Sequence, residues 1–201
     1  MTTALYLAHL NPVTNAHVEI IEELKKNADA VKVMPVIFKD EDREVNSKSF
    51  PFNFETRKKM IESVFNDSVA VSSNYTFLAP FKKYFPPLIS PKSWSLRKQI
   101  LRGIEGAYFT YTGDKAEGLM LKLYRLNPKV GTRKSVSATS VKNEMYAAAD
   151  GNDSPWKKFV PSSVANIINE NWETIKKFAS EEDMTTRVAG MKFPKEGYNS
   201  K

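Results

Sequence analysis

Short runs of β-branched and aromatic residues alternate with helical stripes along this chain, and that alternation narrows the available folds more than any other feature. The strand candidates are Ala4–Leu10, Val31–Phe38, Val69–Val71 and Tyr108–Thr112, with a fifth near Lys129 and Val130. After His17, the residues Ile20, Ile21, Leu24 and Ala28 share one helical face. Phe54, Met60, Ile61, Val64 and Phe65 repeat the pattern, as do Ala116, Leu119, Met120 and Leu123. Val141, Met145 and Ala148 make a shorter stripe, and Val164, Ile167, Ile168, Trp172 and Ile175 the clearest one. Strand–helix alternation of this kind covers both faces of a parallel sheet, and the first unit has the length of one βαβ unit. The expected class is α/β, a Rossmann-like doubly wound parallel sheet of about five strands with helices on both faces. One domain is expected over residues 1–180, followed by a loosely structured tail over 181–201, where periodicity is weak. Lys39–Asn53 and the proline-rich Tyr75–Ser95 read as long loops. In a doubly wound sheet, loops at the carboxyl ends of the strands surround the ligand crevice.

Composition removes several function classes. The chain has no cysteine, which excludes disulfides, thiolate zinc sites and a cysteine nucleophile, and fits a cytoplasmic protein. No apolar run reaches the roughly 20 residues of a membrane helix. The opening residues enter a strand without a basic region, so no secretory signal is expected. The formal net charge of +7 points to an anionic partner, or to a solvated surface carrying pairs such as Lys157–Lys158 and Lys176–Lys177.

Two segments carry candidate chemistry. In the first, a strand ends near Leu10, Pro12 shapes a turn, and Thr14 or Asn15 caps a helix that starts near His17. The first-turn N–H groups of such a helix form an anion site at the crevice. His17 adds a side-chain donor there and Thr14 a hydroxyl. Both histidines of the chain, His9 and His17, lie in this stretch, and a capping or core role is the plainer alternative for each. The second segment is Arg133–Lys142. Ser137 is a natural N-cap, Ser137 and Thr139 place hydroxyls at a second helix start, and Arg133 and Lys142 supply charge. Read alone, it is also an ordinary capped helix.

Asn11-Pro12-Val13-Thr14-Asn15-Ala16-His17 resembles the first signature of the nucleotidyltransferase superfamily, Gly-x-Phe-Asp-Pro-x-His/Thr-x-Gly-His. Pro12, Thr14 and His17 match in place, whereas Ala8 and Ala16 stand for the glycines, Leu10 for Phe and Asn11 for Asp. Val136-Ser137-Ala138-Thr139-Ser140-Val141-Lys142 is similar to the second signature, with Lys142 in place of Arg. Lysine keeps the charge and loses the bidentate fork. Thr112-Gly113-Asp114, Trp156–Pro161 and Phe54–Ile61 are weaker matches, and in order the matches span about residues 4 to 178.

The resemblance implies attack by an acceptor phosphate on the α-phosphate of a nucleoside triphosphate, with release of pyrophosphate. It implies His17 as donor to the α-phosphate, Thr14 as orienter of the reacting phosphates, and Lys142, Ser137 and Thr139 as holders of the β- and γ-phosphates. Leu10, Asn11, Ala16, Gly113, Asp114, Arg133 and Ala138 belong to the same nucleotide-binding segments. Lys39, Arg57 and Arg133 are candidates for the acceptor phosphate or the leaving group, and Trp94 for stacking on a base. Mg²⁺ is expected on the phosphates, with few protein ligands of its own.

The acceptor stays open. Gly113-Asp114 and the Trp156–Pro161 segment favour a nicotinamide-nucleotide type, and Thr14 with Lys142 a phosphopantetheine type. A cytidylyltransferase is the further option, with ATP placed slightly ahead of CTP. The expected partners are therefore ATP or CTP and a small phosphorylated acceptor. A homo-oligomer is compatible, a membrane partner is not expected, and nucleic acid is the lesser option. A reading of another class is a non-catalytic nucleotide or RNA binder with a decayed site, suggested by Ala8, Ala16 and the net charge of +7. A tRNA synthetase is disfavoured, because the length leaves no room for an anticodon domain and no Lys-Met-Ser-Lys-Ser-like motif is present.

Overall fold

A strand covered on both faces must be apolar throughout, and Thr2–Ala8 (β1) meets that demand: Thr3 through Leu7 are all buried. The computed structural model describes residues 1–131 and 137–199. After β1 come α1 (Asn15–Asn27), β2 (Ala30–Pro35), β3 (Ile37–Asp40), β4 (Arg43–Glu44) and α2 (Phe54–Phe65). There follow β5 (Ala70–Val71), β6 (Thr76–Leu78), α3 (Pro91–Ile100), β7 (Ala107–Thr112), α4 (Lys115–Leu123) and β8 (Pro128–Val130). The chain continues through α5 (Ala138–Ala149), α6 (Ser162–Glu170), α7 (Trp172–Ala179), β9 (Thr185–Val188) and β10 (Met191–Pro194).

The main sheet has five strands among the described residues, in the order β5-β2-β1-β7-β8. Every pairing in it is parallel; Leu5 at its centre stands opposite Lys32 on one side and Thr110 on the other. Side chains alternate across it. Ala4 and Tyr6 join Ile21 of α1, Met60 of α2, Val141 of α5 and Ile168 of α6 in one core layer. Leu5 and Leu7 face the other way, towards Leu96 of α3, Leu121 of α4, Phe38 and Phe77. This is the doubly wound α/β architecture expected from the alternation.

Three details depart from expectation. The run Val31–Phe38 is two strands in two sheets. Pro35 has no N–H for a further ladder bond, so β2 ends there and Ile37 pairs with Thr76 in a small sheet of order β4-β3-β6. The long stripe from Val164 to Ile175 is broken at Asn171, whose side-chain amide donates to the Ile167 carbonyl at 2.8 Å and competes with the helical ladder. The segment Tyr75–Ser95, expected as loop, holds β6 and the start of α3, where Ser90 caps and Pro91 opens the first turn.

The expected loose tail is corrected as well. β9 and β10 form an antiparallel hairpin whose tip carries Gly190 at φ +85°. Phe193 is fully buried, with its ring against Phe38, Phe77, Phe81 and Phe85. Burying one such ring is worth about 2–3 kcal/mol, enough to hold a short hairpin whose alternation is too brief to read as a periodic signal. Among the described residues no helix is long and apolar enough to cross a membrane.

Candidate functional site

A cavity of about 280 Å³ lies at the carboxyl ends of β1 and β7. Ala8, His9 and Leu10 reach it from β1, and Thr112, Gly113 and Asp114 from β7. Ala16 and His17 come from the start of α1, and Ser137, Ala138, Thr139 and Lys142 from the start of α5. Two helix N-termini therefore face one space, with the partial positive charge and unpaired N–H groups that favour a phosphate.

The loop after β1 fixes His17. Leu10 sits at φ +50° with its side chain fully buried. That left-handed conformation costs roughly 1–2 kcal/mol for a residue with a Cβ, and the burial of Leu10 offsets it. The Asn11–Pro12 peptide is cis. Thr14 caps α1 in an extended conformation, and its N–H donates to Nδ1 of His17 at 3.0 Å. A neutral imidazole that accepts at Nδ1 carries its proton at Nε2. Burial first, and then the charge of Lys142, lower the His17 pKa to about 4. At neutral pH, His17 is thus a neutral Nε2–H donor on the cavity wall.

Lys142 is buried, and its Nζ donates to the Asn11 carbonyl at 2.9 Å. Burial, followed by repulsion from Lys192, brings its pKa down to about 7. Ser137 caps α5 by accepting from the Ser140 N–H at 3.1 Å. Asn11 lies behind the cavity, exchanging hydrogen bonds with the Phe52 backbone at 2.8 and 3.1 Å. Thr14 is likewise fully buried. Both act on the loop that leads into His17 of α1, and neither lines the cavity.

Three expected contributors stand elsewhere. Arg57 is buried and engaged: Nη1 donates to the carbonyls of His9 at 2.9 Å and Val36 at 2.7 Å, and Nη2 pairs with Glu44 at 2.8 Å. It holds backbone and does not line the cavity. Lys39 is on β3 in the small sheet. Trp94 donates to the Leu88 carbonyl at 2.7 Å and borders a separate pocket with Leu123 and Tyr124. Arg133 lies outside the described residues.

Of the other wall residues, His9 was read from the sequence only as a capping or core histidine, and Ser49, Glu117 and the hairpin residues were not singled out. His9 stacks on Phe50, centroids 4.6 Å apart, and burial foremost lowers its pKa to about 3. Ser49, Arg187, Gly190, Met191 and Lys192 complete the rim from two segments read as loop and tail. Glu117 is buried beneath it and accepts from Thr112 Oγ1 at 2.5 Å and Tyr75 Oη at 2.9 Å. In sequence it looks like an ordinary acidic residue in a first helical turn, which complements the dipole, so nothing marked it.

Burial raises the Glu117 pKa from 4.5 to about 7, against the opposing pull of its two hydroxyl donors. Between these values the unfolded chain releases a proton that the folded chain keeps, so stability falls as pH rises through that window. Glutamine has no such loss. Glu117→Gln is therefore expected to gain on the wild type by roughly 1–3 kcal/mol between pH 5 and pH 8. Urea unfolding at the two pH values measures this; a pH-independent difference contradicts the raised pKa.

Residues 6–188 match the family model described as cytidylyltransferase-like. The chain belongs to that family of nucleotidyltransferases. Among solved structures it is similar to a bifunctional NMN adenylyltransferase/ADP ribose pyrophosphatase from Francisella tularensis, complexed with AMP and a manganese ion. That likeness has a TM-score of 0.64 and 15% identity, over 90% of this chain and 52% of the other. The chain thus spans about half the length of the Francisella enzyme. A putative nicotinate-nucleotide adenylyltransferase from Vibrio parahaemolyticus is similar with a TM-score of 0.55 and 14% identity, over 88% of this chain and 96% of that one. At these identities the structures share the fold. No curated protein sequence matches the chain.

Proposed function

We propose that this chain transfers a nucleoside monophosphate from a nucleoside triphosphate to a phosphorylated acceptor and releases pyrophosphate, with AMP slightly favoured over CMP. The observation that carries the reading is that His17 and the Ser137–Lys142 helix start, far apart in sequence, line one cavity. An acceptor phosphate oxygen attacks the α-phosphorus, the bond to the β-phosphate bridging oxygen breaks, and its electron pair leaves with pyrophosphate. The acceptor phosphate is ionised at neutral pH, so no general base is required. What remains is alignment and stabilisation of charge.

His17 Nε2–H is directed at the charge that develops on the α-phosphate. Ser137, Thr139 and the N–H groups of α5 hold the β- and γ-phosphates. Lys142, whose pKa burial lowers to about 7, takes up its full charge beside a polyphosphate. Thr14 sets the His17 tautomer from behind. Among the described residues no three His, Cys, Asp or Glu side chains are grouped to hold a metal. Of the two carboxylates that line the cavity, Asp114 caps the N–H groups of Ala116 and Glu117, and Glu117 accepts from Thr112 and Tyr75. These residues fit a divalent cation carried by the triphosphate, which neutralises phosphate charge. The acceptor proposed is a pyridine mononucleotide, supported by the Gly113-Asp114 and Trp156–Pro161 resemblances.

The test is pyrophosphate release with ATP and CTP in turn, against nicotinamide mononucleotide, nicotinate mononucleotide and phosphopantetheine. Release with ATP and a pyridine mononucleotide is expected. Release with CTP alone overturns the choice of base. Binding of nucleotide with no release from any pair favours the non-catalytic reading.

A further inference from the structure

The hairpin wall of the cavity has no part in the scheme above, and its chemistry is specific. Arg187 on β9 and Lys192 on β10 are directly paired across the hairpin, and both line the cavity. Directly opposed like charges destabilise a strand pair. The Asp183 carboxylate, ion-paired with Lys192 at 3.1 Å, offsets part of that repulsion, and an anion between the two cations offsets the remainder. The arrangement is held in place from several sides. Phe193, next to Lys192, is fully buried. Gly190 at the tip lies so close to Ala116 that a Cβ there would stand 2.5 Å from the alanine methyl. At the base, Lys48 donates to the carbonyls of Ala179 and Glu181 at 2.7 and 3.0 Å. The hairpin is therefore a packed wall.

Among the described residues, the charges on it have donors to spare. Lys192 gives one donor to Ser49 at 2.8 Å and one to Asp183 at 3.1 Å, out of three. Arg187 gives one of its five to the Gly190 carbonyl at 3.1 Å. Ser49 donates its hydroxyl proton to Asp183 at 2.8 Å and accepts from Lys192, so it bridges the lysine and the carboxylate. Lys192 acts on Lys142 and on His9 through its charge, so it faces the same space as the residues assigned to the triphosphate. The Nδ1 of His9, on that wall, is buried and has no hydrogen-bond partner among the described residues. The family match ends at residue 188, before Lys192 and β10.

We propose that Arg187 and Lys192 form the subsite for the phosphate monoester of the acceptor, so that the hairpin of this chain selects a phosphorylated acceptor. The assignment rests on the nucleotidyl-transfer reading only for the word acceptor; the anion subsite itself rests on the hairpin geometry. The triphosphate occupies the two helix starts, and the second phosphate enters from the hairpin side.

Calorimetry with matched pairs, nicotinamide mononucleotide against nicotinamide riboside and phosphopantetheine against pantetheine, isolates the phosphate contribution. The wild type is expected to prefer the phosphorylated member of one pair. Arg187→Ala and Lys192→Met are each expected to reduce that preference about tenfold. Their affinity for the dephosphorylated member, and for α,β-methylene-ATP, is expected to stay within about twofold. Arg187 is exposed, so its truncation leaves the fold in place, and methionine keeps the packed stem of Lys192. No preference for either phosphorylated member in the wild type overturns the assignment, as does an unchanged preference in both variants or an equal loss for α,β-methylene-ATP. If pyrophosphate release fails for every pair while the phosphate preference persists and drops in the variants, the transfer reading falls and the subsite stands.

Discussion

Replacing His17 by alanine is expected to lower turnover by roughly two to three orders of magnitude, the usual loss for one donor aimed at charge that develops in the transition state. The KM for the triphosphate is expected to change little. In the proposed scheme, ground-state phosphate contacts come mainly from the start of α5 and from Lys142, and the imidazole acts when the α-phosphate gains charge. The geometry makes the prediction specific. Nδ1 accepts from the Thr14 N–H at 3.0 Å, so the proton sits on Nε2. Protonating the ring turns Nδ1 into a donor against a donor. Because burial holds the pKa at about 4, turnover should show no loss attributable to His17 as pH falls through 6.5. Steady-state kinetics of wild type and His17→Ala from pH 5 to 8 measure both points. Turnover of the variant within a few-fold of wild type rejects the role.

The order of strands and helices was readable because a sheet covered on both faces leaves long apolar runs between amphipathic stripes. All five strands of the main sheet were located, since each follows or precedes a strong helical pattern. Boundaries failed where a single polar or imino residue redirected the chain. Pro35 divided one apolar run between two sheets, and Asn171 broke the clearest helical stripe. For the cavity, the segments after β1 and at the start of α5 were legible through motif resemblance, because helix-start chemistry is local. The hairpin was not: its two cations meet the cavity only after Phe193 packs into a core assembled from distant residues. Arg57 illustrates the converse error. A buried arginine and a phosphate-binding arginine are identical in sequence, and here its donors are taken by backbone carbonyls and Glu44.

Removing that guanidinium is expected to cause a large loss of stability. The Arg57 side chain is 3% exposed and that of Glu44 17%. Arg57→Met keeps most of the volume, yet it leaves Glu44 without its cation and removes a donor from the carbonyls of His9 and Val36. Breaking a buried pair from one side costs about 3–5 kcal/mol, a large part of the 5–15 kcal/mol typical of a whole domain. The loss should appear as a lower urea midpoint with an unchanged slope. Adding Glu44→Gln should restore part of it, since the uncompensated carboxylate is then gone. If Arg57→Met unfolds within about 1 kcal/mol of wild type, the ion pair is not what holds these loops together. The position of the two carbonyls adds a kinetic consequence. His9 lies on the cavity wall and Val36 where the chain leaves the main sheet, so one guanidinium ties the loop after β1 to the crossing into the small sheet. Activity of the double variant should therefore remain reduced where its stability is recovered, because methionine at position 57 donates nothing to the His9 carbonyl.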